Sequence, residues 1–247
     1  MSKQGREQNR TERAAAIRAQ QQRSENLKKL GLIAGIVIVI GAIIAAGVIF
    51  GGGSGKDATP VDQAKLQPRA GDHSLLIGPA DAATKVVIYE DFQCPYCREF
   101  EMSSRDFLHE YAAKGKVQVE YRPFNLLSSL PYSERALDAF IAVLEKGTPG
   151  QALELHDALY DHQPYEQSSD SVNVDDIKGW VEDTGAGEAA VSAIQDDHEA
   201  WFTAAMKAAK DAHVQGTPTV LVNGQPLQAP SVGAMATQLE QMIAKGK

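Results

Sequence analysis

Twenty-one consecutive residues without a charge, LGLIAGIVIVIGAIIAAGVIF from Leu30 to Phe50, divide the chain into parts that cannot share one core. A helix rising about 1.5 Å per residue crosses a hydrocarbon layer roughly 30 Å thick in about twenty residues, so the run has the length of a membrane span. It has no polar face to turn outward, which argues against a buried helix of a water-soluble domain. Ala45-Ala46-Gly47 loosely resembles a signal-peptide cleavage site. The run is longer than the usual 7–15-residue core of such a peptide and follows a long basic region, which favours an uncleaved anchor.

Charge gives the run a direction. Residues 1–29 carry eight Lys/Arg against three Asp/Glu, a net of +5, so the whole-chain net of −8 leaves −13 for residues 30–247. Lys and Arg are retained on the cytoplasmic side, so residues 1–29 are expected to form a basic cytoplasmic tail and everything after Phe50 to lie outside the cell. The acidic remainder argues against nucleic acid or anionic lipid as a partner of the exported part. Residues 51–72 begin GGGSGKDATP and show no apolar periodicity, the composition of a flexible linker.

From residue 73 to the end the patterns are those of an α/β domain. SLLIG from Ser74, KVVIYEDF (Lys85 to Phe92) and KVQVEYRPF (Lys116 to Phe124) read as strands, the last alternating Val117, Val119 and Tyr121. Between the second and third, Phe100, Phe107, Leu108 and Tyr111 recur at helical spacing before Gly115, which gives a βαβ unit. Residues from about 130 to 213 read as an all-helical insertion. Ala136, Leu137, Phe140, Ile141 and Leu144 mark one face, Asn173 is a helix cap, and Ala189 to His213 is one long Ala-rich stretch. TPTVLVNGQPLQ then places two short strands around Asn223-Gly224, and a last helix is expected around Val232 to Ala244.

The chain has two cysteines, Cys94 and Cys97, at the junction of the second strand and its helix. A disulfide enclosing two residues removes little entropy from the unfolded chain, so the pair is a poor structural staple. No second CxxC or spaced His pair supplies further zinc ligands, and Arg98 in place of His removes the haem-attachment pattern. Redox chemistry fits the position. At a helix N-terminus the unpaired N–H groups and the dipole stabilise a thiolate, which makes Cys94 the attacking sulfur. Cys97, one turn on, lies on the same side and can resolve a mixed disulfide. Pro95 costs little at the first helical position, and Pro95-Tyr96 is the dipeptide that tunes thiolate stability.

The strand with DFQCPYC (Asp91 to Cys97), YRPF (Tyr121 to Phe124), the helical insertion and GTPTVLVNG (Gly216 to Gly224) together resemble the DsbA-like thiol-disulfide oxidoreductases of the thioredoxin superfamily. The resemblance covers residues 73 to 245 or so. It implies a thioredoxin-like fold with an inserted helical subdomain, here preceded by one transmembrane helix. It also implies a cis Pro218 beside the cysteines and a Thr217 backbone that pairs with a substrate strand. One position departs from the superfamily pattern: many members carry a buried acid six residues before the first cysteine, and Ile88 stands there. Strand alternation sends the nearby Glu90 and Asp91 to opposite faces, so neither inherits that role automatically.

These features lead to an expected function: a membrane-anchored, extracytoplasmic enzyme that introduces disulfides into exported proteins through Cys94 and Cys97, with Thr217 and Pro218 binding substrate. No metal or organic cofactor is expected. The resemblance implies substrate thiols and a membrane quinone-linked reoxidase as partners. Isomerase or reductase activity on the same site is the nearest alternative, and a tethered chaperone-like or copper-binding module is the rival from a different class.

Overall fold

The structure, a computed structural model, describes residues 62–246. The expected basic tail, the apolar run at 30–50 and most of the linker lie outside these residues. Among the described residues, no helix is long and apolar enough to cross a membrane.

The sheet has six strands: β1 (Arg69–Gly71), β2 (Ser74–Ile77), β3 (Thr84–Glu90), β4 (Val117–Pro123), β5 (Thr219–Val222) and β6 (Gln225–Pro226), in the order β1-β2-β4-β3-β5-β6. β3 and β4 run parallel, with Ile88 opposite Tyr121, and are joined through helix α2 (Pro95–Ala113). This is the βαβ unit expected from the hydrophobic pattern. The neighbours β2 and β5 pair antiparallel to β4 and β3. β4 alternates strictly between buried and half-buried residues, whereas β3 buries Ile88, Tyr89 and Glu90 in succession. A central strand covered on both faces carries its polar residues into the interior.

Asn223 and Gly224 both have positive φ, the geometry a two-residue hairpin of this type demands. Asn223 fixes the turn to the start of β3. Its side chain accepts from the Lys85 N–H, and its own N–H donates to the Lys85 carbonyl, both at 2.8 Å.

Between β4 and β5 stand α3 (Pro131–Lys146), α4 (Pro149–Asp161), a 3₁₀ turn (Glu166–Ser168), α5 (Val174–Asp183), α6 (Glu188–Ala193) and α7 (Glu199–Asp211); α8 (Val232–Ala244) closes the chain against α2. Pro131 and Pro149 occupy first-turn positions, where no intrahelical N–H is needed. Thr148 with Gln151, and Asn173 with Asp176, form reciprocal capping boxes. The inserted helices share one apolar core with the sheet. Tyr132, Leu137, Phe140, Leu155 and Leu159 join Ile77, Ile88, Val119 and Tyr121 in a continuous buried cluster.

Two expectations are revised. The supposed linker is structured from Asp62 onward: Asp62 caps a short helix α1 (Gln63–Leu66), Leu66 is buried in the core, and Arg69 opens β1. The Leu66 carbonyl accepts the Gly78 N–H at 2.6 Å, which ties α1 to the end of β2. A single buried leucine in a polar stretch leaves no periodic signal. Further on, the Ala-rich stretch from Ala189 to His213, read as helical throughout, is divided between α6 and α7. The Asp197 carboxylate accepts from the Glu199 N–H at 2.9 Å and His198 bonds the Ala193 carbonyl, so local side-chain bonds end one helix and start the next.

Candidate active site

β3 ends at Glu90, and the chain makes one tight turn before α2 begins. The Cys94 N–H donates to the Asp91 carbonyl at 2.9 Å, and the Cys94 carbonyl accepts from Cys97 and Arg98 at 3.1 Å each. Cys94 is therefore the N-cap of α2, with extended backbone angles, Pro95 at the first helical position and Cys97 within the first turn. Tyr96 projects into solvent at 60% exposure. Both cysteines are free thiols and both are buried.

Their environments push the two thiols apart. A hydrogen bond from Cys97 is the main cause that lowers Cys94. Burial opposes it, the Thr217 side chain and the N–H groups of Cys97 and Tyr96 add to it, and the net result is a pKa of about 6. Cys97 moves the other way. Burial, the proximity of the Cys94 sulfur and the Glu90 charge raise it well above the ordinary thiol value. One turn of helix thus holds a ready thiolate beside a reluctant one, the asymmetry expected of an attacking and a resolving cysteine.

Thr217-Pro218 is a cis peptide bond. The Thr217 carbonyl lies 3.4 Å from the Cys94 sulfur, 123 residues away in sequence, and accepts its S–H. Thr219 Oγ1 donates to the Gly216 carbonyl at 2.7 Å and closes the loop upon itself. Thr217 and Pro218 are half-buried, so part of this edge is open to solvent. The fold brings all six sequence-predicted site residues, Cys94, Pro95, Tyr96, Cys97, Thr217 and Pro218, to one end of β3.

Two acids next to the turn take roles that sequence reasoning left open. Asp91 is fully buried, and its carboxylate accepts from the N–H groups of Gln93, Leu126 and Leu127 at 2.8–2.9 Å and from Ser133 Oγ at 2.8 Å. One side chain thereby joins the cysteine turn to the loop after β4 and to α3. Burial raises its pKa, against the pull of these four donors.

Glu90 points to the other side, where its carboxylate meets His156 Nε2 at 2.9 Å. Both residues are essentially inaccessible to solvent. His156 Nδ1 contacts Asp157 at 3.1 Å and lies 3.9 Å from Glu101, and Arg105 binds Glu101 and Asp161 at 2.9 Å each. Burial disfavours a charged imidazole here, but Glu90, Asp157 and Glu101 outweigh it and lift His156 to about 10. Burial in turn raises Glu101 to about 7. Phe92, Phe140, Tyr121 and Tyr160 surround the imidazole. The six histidines look scattered in sequence, and only the fold shows that one of them is buried against an acid beside the cysteine turn. An acid ending a central apolar strand was the one available signal.

Donor atoms of Glu90, Glu101 and His156 lie within 4.8 Å of one another, a spacing that suits a cation. Each nitrogen of His156 already faces a carboxylate and Glu101 Oε1 holds Arg105, so the arrangement reads as an internally compensated charge network.

A sequence-family model described as Thioredoxin matches residues 71–241. The chain belongs to the thioredoxin family. Among solved structures, this thioredoxin-family chain is similar to the MdbA protein, a thiol-disulfide oxidoreductase from Corynebacterium diphtheriae. That likeness has a TM-score of 0.61 at 19% identity and covers 78% of this chain and 100% of that one. It is also similar to reduced DsbA from Mycobacterium tuberculosis, with a TM-score of 0.58 at 22% identity over 71% of this chain and 98% of that one. At these identities the likeness establishes the fold. Among curated proteins, the chain is 32% identical over 186 residues to the Na(+)/H(+) antiporter NhaA 3 of Salinispora tropica. That match takes in 71% of this chain but 26% of the relative, so the chain spans about a quarter of that protein's length.

Proposed function

We propose that this thioredoxin-family protein is a thiol-disulfide oxidoreductase that works as an extracytoplasmic disulfide-forming oxidase, tethered to the membrane by the apolar run at 30–50. The observation that carries the reading is the opposed tuning of two cysteines one turn apart: Cys94 brought down to about 6 and Cys97 pushed up, with the Thr217 carbonyl 3.4 Å from the lower one.

In the oxidised state a substrate thiolate attacks Cys94 Sγ. The Cys94–Cys97 bond breaks, a substrate–Cys94 disulfide forms, and Cys97 leaves and takes up a proton, as its raised pKa favours. A second substrate thiolate then attacks the substrate sulfur. Cys94 departs as a thiolate, and the substrate has lost two electrons to the enzyme. A thiol of low pKa is a good leaving group and stabilises the reduced protein, so this tuning favours oxidation of the substrate. Thr217 and Pro218 present a half-open backbone edge on which a substrate strand can pair. A quinone-linked membrane partner would restore the disulfide by accepting the two electrons.

The test is to express full-length Cys97→Ser in its host membrane and look for protein adducts that dithiothreitol dissolves. The reading predicts mixed disulfides on Cys94 that vanish in the Cys94→Ser/Cys97→Ser double variant. A Cys97→Ser protein that collects none contradicts it and favours a non-enzymatic role.

A further inference from the structure

Beside the cysteine pair lies a cleft of about 410 Å³, lined by Gln93, Pro95, Arg98, Gln163, Tyr165 and Glu166 among others. Its two walls come from the redox turn and from the segment after α4, and side chains stitch them together. Gln163 Nε2 donates to the carbonyls of Phe92 (2.7 Å) and Cys94 (3.0 Å), and Gln93 Nε2 donates to the Pro164 carbonyl at 3.0 Å.

Two groups in this lining lack the partners that such groups usually find. Gln93 is fully buried, yet its side-chain oxygen accepts no hydrogen bond among the described residues. A buried acceptor left unmade is costly, and an incoming N–H would satisfy it. Arg98 uses Nε on the Tyr160 carbonyl at 2.9 Å but forms no ion pair among the described residues. Two turns along the same helix, Arg105 is held by Glu101, Asp157 and Asp161. Arg69 and Arg135 also lack an ion pair but set Nη1 on backbone carbonyls; Arg98, four residues from Cys94, makes no such bond with its terminal nitrogens among the described residues. A guanidinium has the planar donor set that matches a carboxylate. Tyr165, at 84% exposure, adds an aromatic face beside it. Glu166, on the segment opposite α2, is the one carboxylate in the lining and does not pair with Arg98.

We propose that this cleft seats the stretch of substrate polypeptide flanking the reactive cysteine, and that Arg98 selects stretches carrying a carboxylate side chain close to that cysteine. Gln93 Oε1 takes a main-chain N–H of the same stretch. This assignment rests on the thiol-exchange reading above and adds to it a sequence preference. The Thr217 edge pairs with any backbone, whereas Arg98 reads a side chain.

The experiment uses the full-length oxidised chain in detergent and short cysteine peptides in which Asp, or its uncharged isostere Asn, stands in turn at each of the two positions before and after the cysteine. The readout is the Asp/Asn ratio of second-order rate constants for reduction of the protein, divided by the same ratio for Arg98→Gln. That quotient cancels the intrinsic reactivity of each peptide, the overall charge of the protein and any general loss of thiol reactivity. At one or two positions the quotient is expected to be about 3 or more and to shrink towards unity in about 1 M salt, as befits a partly exposed charge pair. Arg98→Glu, a reversal that mere damage would not mimic, is expected to turn the preference against Asp. A quotient of unity at every position, with all peptides oxidised, overturns the assignment and leaves the oxidase reading standing. If no peptide is oxidised, both fall.

Discussion

The sulfur of Cys94 and the carbonyl of Thr217 lie 3.4 Å apart although 123 residues separate them. They meet because β3, which leads into the cysteine turn, and β5, which follows Thr217, are antiparallel neighbours with Tyr89 opposite Thr219. Sheet register sets the Cys94 sulfur beside the Thr217 edge.

Reactivity should follow the two thiols separately. With Cys94 at about 6, its thiolate predominates at neutral pH and is lost as pH falls through that value. Alkylation of the reduced protein by iodoacetamide, read by mass spectrometry, is expected to label Cys94 with a midpoint near pH 6. Native Cys97 should stay unlabelled up to pH 9. Equal labelling of both cysteines would contradict the account.

Asp91 holds the turn from within. Replacing it by Ala leaves the N–H groups of Gln93, Leu126 and Leu127 without their acceptor, at a cost of about 3 kcal/mol or more in stability. A thermal melt of Asp91→Ala should show a midpoint lower by about 6–12 °C for a domain of this size. The Cys94 midpoint should move as well, since the Asp91 carbonyl and side chain define the turn.

The Glu90–His156 pair predicts a pH dependence of stability. His156 has a folded pKa of about 10, above its ordinary 6.5, so its contribution is complete below about 6.5 and is lost as pH rises through about 10. Denaturant midpoints of the oxidised protein, in which neither thiol titrates, should fall across that window. In His156→Gln the fall should be much reduced, on top of a uniform loss of about 3 kcal/mol from stranding the Glu90 carboxylate in the interior.

Thr217 contributes its side chain as well as its carbonyl. Thr217→Val keeps the bulk and removes the hydroxyl, so the Cys94 midpoint should rise above about 6 with little change in melting temperature. An unchanged midpoint would assign the lowering to Cys97 and the helix terminus alone.

Much of this architecture is legible in the chain because its signals are local. Alternating Val117, Val119 and Tyr121, the Asn223-Gly224 turn and the Asn173 cap each specify their element within a few residues. The cysteine pair and Thr217-Pro218 are legible as motifs, and the register of β3 and β5 unites them. What escapes is non-local. Nothing near His156 in sequence tells that it pairs with Glu90, 66 residues earlier. Leu66 anchors α1 in a stretch whose composition is that of a linker. Asp91 reads as a polar residue at a strand end, and its four partners come from three separate segments. Arg98 reads as a residue that excludes haem attachment, and only the cleft shows that no carboxylate among the described residues pairs with it.

The central claim is that the folded protein favours its dithiol over its disulfide. The direct measurement is the equilibrium of Cys94 and Cys97 in the full-length chain against mixtures of reduced and oxidised glutathione. The account predicts an oxidising pair, with a potential nearer to about −120 mV than to the roughly −270 mV of a reducing thioredoxin. A value at the reducing end would contradict it and make reduction or isomerisation the work of this site.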